Sequence, residues 1–364
     1  MPGPVARSPL GLSNDTELPA RPLARVVLDQ ATEDGDGHKA ESAVAYRADL
    51  DGLRAIAVGL VILCHAKWPW VNNGGDAGVT AFFVLSGYLI TNVLVNQRVR
   101  RGRIDILAFY RRRIVRLAPA LLGLLAFTLV FGLAFGWGSS HWRVGLLSCF
   151  AYVSNWIQVG GVSIDPLGHT WSLAIEEQFY LVWPALLIVL RGRLLTFAVV
   201  AIVAASVVRL VATGPLEYFS TITRADAILV GCLMALTRPR WPTSIAAAGL
   251  VALFAVAFLN SGHDLGIPAA MLATAAVIGG KLEPLGRLAP IGLRAYSLYL
   301  WNWPMTILFG SIGAIAPILT ILIGEISFRL LEAPVLRRGR MRRRALAASP
   351  VGPSPATDLL PTQP

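Results

Sequence analysis

Three groups of ionisable residues interrupt an otherwise apolar chain, and each is of a kind that can do chemistry. The first is His65, which comes near the end of the run YRADLDGLRAIAVGLVILCHA. An imidazole titrates near neutral pH and is the usual side chain for taking a proton from a hydroxyl. Arg54 precedes it by eleven residues. Eleven steps of about 100° return a helix to nearly the same face, so the spacing predicts both on one side, about 16 Å apart along the axis. A histidine that only hydrogen-bonds a neighbour at a membrane interface fits the same spacing.

The second group lies in TWSLAIEEQFYLVWP, where Glu176 and Glu177 are adjacent carboxylates at the start of an apolar helix. Tyr180 follows Glu176 by one turn and Trp183 by two. Carboxylates there can simply oppose the helix dipole. They can also orient or charge His65, or bind hydroxyls of an acceptor. The third group is the arginine-rich segment FYRRRIVRLAP, in which Arg113 and Arg116 are three apart and share a helix face, a clamp suited to phosphates. Arginines beside an apolar span also serve orientation alone.

The elements that must hold these groups are membrane helices. The 364 residues are 55% hydrophobic and 15% charged, with mean hydropathy +0.61, well outside the range of soluble domains. A net charge of +11 does not point to nucleic acid, because the basic residues sit in short runs beside apolar stretches rather than on a polar domain. Cys64, Cys149 and Cys232 lie at wide spacing inside apolar segments and imply neither disulfides nor zinc. Residues 1–45 lack a signal-type apolar core and read as a disordered cytoplasmic tail, and 338–364 as a basic, Pro-rich one. The membrane domain is expected over 46–337.

Ten apolar segments suggest spans: Leu53–Ala66, Ala77–Gln97, Leu117–Trp137, Trp171–Leu190, Leu194–Thr213, Ala225–Thr237, Thr243–Leu259, Ile267–Gly280, Ile291–Phe309 and Ile312–Leu331. The connection from Arg98 to Arg116 holds eight arginines, which sets it in the cytoplasm. With ten spans, Arg191 and Arg193, Arg238 and Arg240, Lys281 and Arg287, and Arg337 to Arg344 share that side, and both termini lie inside. Val144 to Gln158 is apolar but short, and is expected as a re-entrant or interfacial segment near the outer face. The expectation is an all-α, polytopic bundle in the cell membrane.

Taken together, these stretches resemble the acyltransferase family 3 of membrane O-acyltransferases. YRADLDGLRAIAVGLVILCHA is similar to the family's first helix and GVTAFFVLSGYLIT to its second. FYRRRIVRLAPA matches its Arg-x-x-Arg segment, and GHTWSLAIEEQFYLVWPALL its glutamate block. RADAILVGCLMA, SLYLWNWP and FRLLEAP resemble later parts, so the likeness runs from about Tyr46 to Arg337. The resemblance implies His65 as catalytic histidine, with Glu176 and Glu177 as functional carboxylates. It implies Arg113 and Arg116 as donor-binding arginines, to which the proximity of Arg54 to the cytoplasmic edge adds a third, and Ser86, Gly87 and Tyr88, with Tyr180, as a structural signature. Two positions depart from the family: Thr80 stands where members often carry an acidic residue, and Asn302 where they usually carry a histidine. The resemblance also implies acyl-CoA as co-substrate, no tightly bound cofactor, and a hydroxylated saccharide or glycoside as acceptor. The appended periplasmic hydrolase-like domain of some members is expected to be absent, because the tail after Arg337 is too short for one. A transporter or proton-coupled permease would use similar intramembrane charges, although it tends to show paired repeats with broken helices, and none is visible.

Overall fold

A computed structural model describes residues 46–138, 140–259, 262–312 and 314–337, and no strand occurs among them. Both expected tails lie outside these residues. In chain order the helices are α1 (Ala48–His65), α2 (Gly74–Arg101), α3 (Ile106–Ala134), α4 (Trp142–Phe150), α5 (Ser154–Val159), α6 (Trp171–Val189), α7 (Leu194–Val211), α8 (Pro215–Phe219), α9 (Thr221–Thr237), α10 (Thr243–Phe258), α11 (Gly262–Gly280), α12 (Ala289–Gly292), α13 (Ala295–Phe309) and α14 (Ile315–Ser327).

Five stretches are long and apolar enough to cross a membrane: α2, α3, Gly168–Val189 with α6, α7, and Pro215–Thr237 with α8 and α9. A sixth forms if Leu265–Gly280 and Glu283–Gly292, bent by 101°, cross together. The ten-span expectation is therefore not confirmed, and the reason is length and charge. The α13 and α14 helices have 15 and 13 residues, about 22 and 20 Å of helix against a hydrocarbon core of about 30 Å. The α1 helix is long enough at 18 residues but carries Asp49, Asp51 and Arg54. Val144 to Gln158 folds into the short helices α4 and α5, separated by a break at which Tyr152 adopts a positive φ of 55°.

The arginine-rich segment is helical rather than a loop. Gly102, left-handed at φ +67°, ends α2. Asp105 then caps α3, its carboxylate accepting from the Ala108 amide at 2.8 Å, so Arg111 to Arg116 fill the second and third turns of a 29-residue helix.

The core is built around α2 and α9, whose backbones nearly touch. A Cβ on Gly87 would lie 1.8 Å from the Ile228 carbonyl oxygen, and one on Gly231 would lie 1.9 Å from that of Val84. Glycine at both positions is what permits this approach. Phe83, Leu85 and Leu94 of α2 are buried there with Ile175, Trp183 and Leu187 of α6, and the Trp183 indole donates to Thr91 at 2.9 Å. Between α7 and α9, Arg209 and Asp226 form an enclosed ion pair at 2.9 Å, 3% and 0% exposed. Charges so deep in an apolar bundle persist only when paired.

Candidate active site

The last residue of α1 opens onto a cavity of about 420 Å³ lined by His65, Gln158, Asp165, His169, Tyr299 and Trp303, among others. Its walls are the end of α1, the connection from α5 to α6, the α8 turn and one face of α13. His65 Nδ1 is hydrogen-bonded to Asn302 Oδ1 on α13. An amide oxygen can only accept, so Nδ1 carries the proton and Nε2 carries the lone pair. The indole of Trp303 meets the imidazole edge-on, with centroids 4.6 Å apart. Its Nε1 in turn donates to Asp165 Oδ1 at 2.7 Å, and the Ser163 hydroxyl donates to Oδ2 at 3.0 Å. The histidine is thus fixed in position and tautomer by groups more than 200 residues away, and its free nitrogen has the character of a base or nucleophile.

His169 lies across the same cavity in the turn before α6. Its carbonyl accepts from the Tyr299 hydroxyl at 2.9 Å, and Ser172 Oγ lies 2.6 Å from that hydroxyl. Sequence reasoning missed His169, Asp165, Tyr299 and Trp303. The signals were present, since His169 immediately precedes TWSL and Trp303 adjoins Asn302 in SLYLWNWP.

The carboxylates sit in a separate cluster. Glu177 takes Arg113 in a forked pair, with Nε at 2.9 and 3.1 Å and Nη2 at 2.8 Å, and the guanidinium lies 3.5 Å over the Tyr180 ring. Glu176 Oε2 accepts from Ser86 at 2.8 Å and from the Tyr180 hydroxyl at 3.1 Å. Ser86, Arg113, Glu176, Glu177 and Tyr180 therefore converge, a cluster that the separate motifs did not disclose. The partner of His65 is Asn302, however, and the two glutamates are engaged elsewhere. Asn302, one of the two departures, thus has a role in holding His65; the other, Thr80, is buried with no partner for its hydroxyl among the described residues.

The remaining signature residues divide between packing and the surface. Gly87 provides the α2 and α9 contact, and the Tyr88 carbonyl accepts from the Asn92 side-chain amide at 2.9 Å. Arg54 pairs with Asp51 at 2.7 Å. Arg116 makes no hydrogen bond or ion pair among the described residues, and the charges around it are those of Arg54, Arg113, Asp51 and Glu332. Of the three arginines, it alone is uncommitted.

The acyltransferase 3 family profile, an acyltransferase domain, matches residues 47–328. The chain is 32% identical over 349 residues to the O-acetyltransferase OatA of Staphylococcus aureus, covering 81% of this chain and 58% of that protein. It is 32% identical over 355 residues to the peptidoglycan O-acetyltransferase OatA of Listeria monocytogenes, covering 81% and 56%. Identity to the putative peptidoglycan O-acetyltransferase YrhL of Bacillus subtilis is 31% over 352 residues, covering 81% and 55%. The chain thus spans a little over half the length of these relatives. No solved structure matches it. The transporter reading gains no support from these relatives. With its motifs in family order and most of its described residues inside the match, this chain belongs to the acyltransferase 3 family.

Proposed function

We propose that this protein is a multi-pass membrane O-acyltransferase that moves an acyl group from acyl-CoA to a sugar hydroxyl, using His65 as the group that activates the hydroxyl. The observation that carries this reading is the His65–Asn302 hydrogen bond, which leaves the Nε2 lone pair for the cavity. The cavity lining supports a saccharide: Trp171, Tyr218, Tyr299 and Trp303 offer flat apolar faces, and Gln158 and Asp165 offer hydrogen-bonding groups. The names of the relatives from Listeria and Bacillus favour an acetyl group and a peptidoglycan acceptor over a glycolipid or a glycosylated natural product.

Acyl-CoA as donor rests on the arginines. Arg116, uncommitted and close to Arg54 and Arg113, suits a phosphate-bearing nucleotide, while the thin pantetheine arm would reach into the bundle toward His65. A thioester so enclosed is shielded from hydrolysis. Glu177 would hold Arg113 for that task, and Glu176, Ser86 and Tyr180 would keep the intervening polar layer in place. Both termini are placed in the cytoplasm by this reading, with the His65 cavity near the outer face. A reporter active only in the cytoplasm should therefore work when fused after Arg103 and be silent after Asn73, and the reverse pattern overturns the orientation.

The function itself is tested with purified His65→Gln protein. Glutamine keeps polarity and approximate size but cannot take the proton. Acyl transfer should fall at least about 100-fold, the lower end for loss of general-base catalysis, while the protein remains folded and membrane-inserted. Near-normal turnover removes His65 from the reaction.

A further inference from the structure

Among the side chains that line the cavity around His65 there is no lysine or arginine, and Asp165 is the only carboxylate. It sits half-buried in the connection from α5 to α6 and forms no ion pair among the described residues. Its Oδ1 accepts from Trp303 Nε1 at 2.7 Å, and its Oδ2 accepts from the Ser163 hydroxyl at 3.0 Å in an exposed contact. An ionised carboxylate has about four lone-pair sites, so each oxygen has room for one more donor. Gly168 leaves space beside this pair: a Cβ there would lie 2.7 Å from Asp165 Oδ1 and 3.3 Å from Trp303 Nε1.

The neighbouring polar side chains present the same kind of group. Gln158 donates its amide hydrogens to the Gly168 carbonyl at 2.9 Å and the Ser154 carbonyl at 3.4 Å, which leaves Oε1 with no partner among the described residues. Trp303 and Ser163 have spent their donors on Asp165, and the Tyr299 hydroxyl donates to the His169 carbonyl. His65, tethered through Nδ1, adds the lone pair of Nε2. The polar side chains at this end of the cavity therefore offer acceptors without a spare donor, and one of them offers a full negative charge. A hydroxyl, an amide N–H or an ammonium group satisfies such a wall. A carboxylate on the ligand would meet Asp165 with like charge and find no donor to compensate.

The geometry points to Asp165 as a specificity-determining residue for the acceptor: it holds a donor group of the bound sugar, so that neutral and amino sugars are taken and sugars bearing a carboxylate are refused. This rests on the O-acyl-transfer reading above and narrows its acceptor class. Trp303 joins the two ends of the site, since its indole meets His65 with centroids 4.6 Å apart and donates to Asp165 from Nε1. Imidazole and carboxylate thus flank one indole, a separation that a single sugar residue can bridge. A sugar gripped by Asp165 can present a second hydroxyl to Nε2.

The test is calorimetric titration of the purified full chain in detergent with three tetrasaccharides: the N-acetylglucosamine tetramer, its de-N-acetylated glucosamine counterpart, and alternating N-acetylglucosamine and glucuronic acid. The wild type should bind the first two, and the acidic one at least about tenfold more weakly. In Asp165→Asn the amide oxygen still accepts from Trp303 and the amide N–H can donate to Ser163, so the wall stays in place. That variant should bind the glucosamine tetramer about ten- to 150-fold more weakly, as for loss of a charged hydrogen bond, and should lose most of its preference for the neutral over the acidic tetrasaccharide. A purely structural role for Asp165 would weaken all three alike, and that result overturns the assignment. So does an unchanged order of preference, or wild-type protein that binds the acidic tetrasaccharide best or binds none of them. Acetyl transfer from acetyl-CoA to the same saccharides separates this inference from the wider reading. Transfer with an unchanged preference in Asp165→Asn sinks only the present inference, whereas binding in the expected order without any transfer sustains Asp165 as the selective group and counts against the acyl-transfer reading.

Discussion

Replacing Asn302 removes the one group that fixes the tautomer of His65. In Asn302→Leu the side chain is similar in size, but the Nδ1 proton loses its acceptor in a site where residue 302 is only 2% exposed. An unsatisfied buried donor costs roughly 1–3 kcal/mol. If the imidazole avoids that cost by rotating or by moving its proton to Nε2, it gives up the productive arrangement. At about 1.4 kcal/mol per factor of ten, the productive form should become roughly 5- to 150-fold rarer. The loss should appear in kcat and hardly in KM for the acceptor, since Asn302 faces the histidine from behind. Asn302→Asp presents an oxygen to the same N–H and should recover most of the rate. The assay is acetyl transfer by purified protein in detergent, with thermal melting to confirm that each variant is folded. An unchanged kcat in Asn302→Leu would refute the tautomer argument, and Asn302→Asp as slow as Asn302→Leu would show that the loss is not one of hydrogen-bond acceptance.

Arg116→Ala should leave folding unchanged and raise the acyl-CoA concentration needed for half-maximal rate about ten- to 150-fold, the worth of one charged hydrogen bond of about 1.5–3 kcal/mol, with lysine recovering only part of it. Arg113→Ala should behave differently, because it strands the half-buried Glu177; a lower melting temperature by roughly 1–3 kcal/mol of stability is expected, and equal stability of the two alanine variants would contradict the ion-pair geometry. Gly87→Ala should destabilise the protein by about 1–3 kcal/mol or more through overpacking against the Ile228 carbonyl. Gly59→Ala, with open space around its Cβ, is the control, and equal melting of the two would argue against the close contact of α2 and α9.

The sequence by itself determined the solvent of this protein, its helical class and its family. Those are written in composition and in ordered local motifs, and local motifs survive being read one segment at a time. It also singled out Arg113, Glu176, Glu177 and Tyr180, each within its own local motif, but the cluster they form with Ser86 joins three helices and is a product of packing. The count of spans is not confirmed, since an apolar run does not disclose where helix geometry stops: the C-terminal helices are short, and α1 carries its charges within its first turns. Only the tertiary structure decided who holds His65. Its partner is 237 residues away, and Asn302, viewed along the chain, was only a missing histidine. His169 likewise became visible once the turn before α6 was packed against α1 and α13. No spacing rule relates residues 65, 169 and 302, because the distances between them are set by how three separate segments meet, and that is a property of packing rather than of any local stretch of sequence.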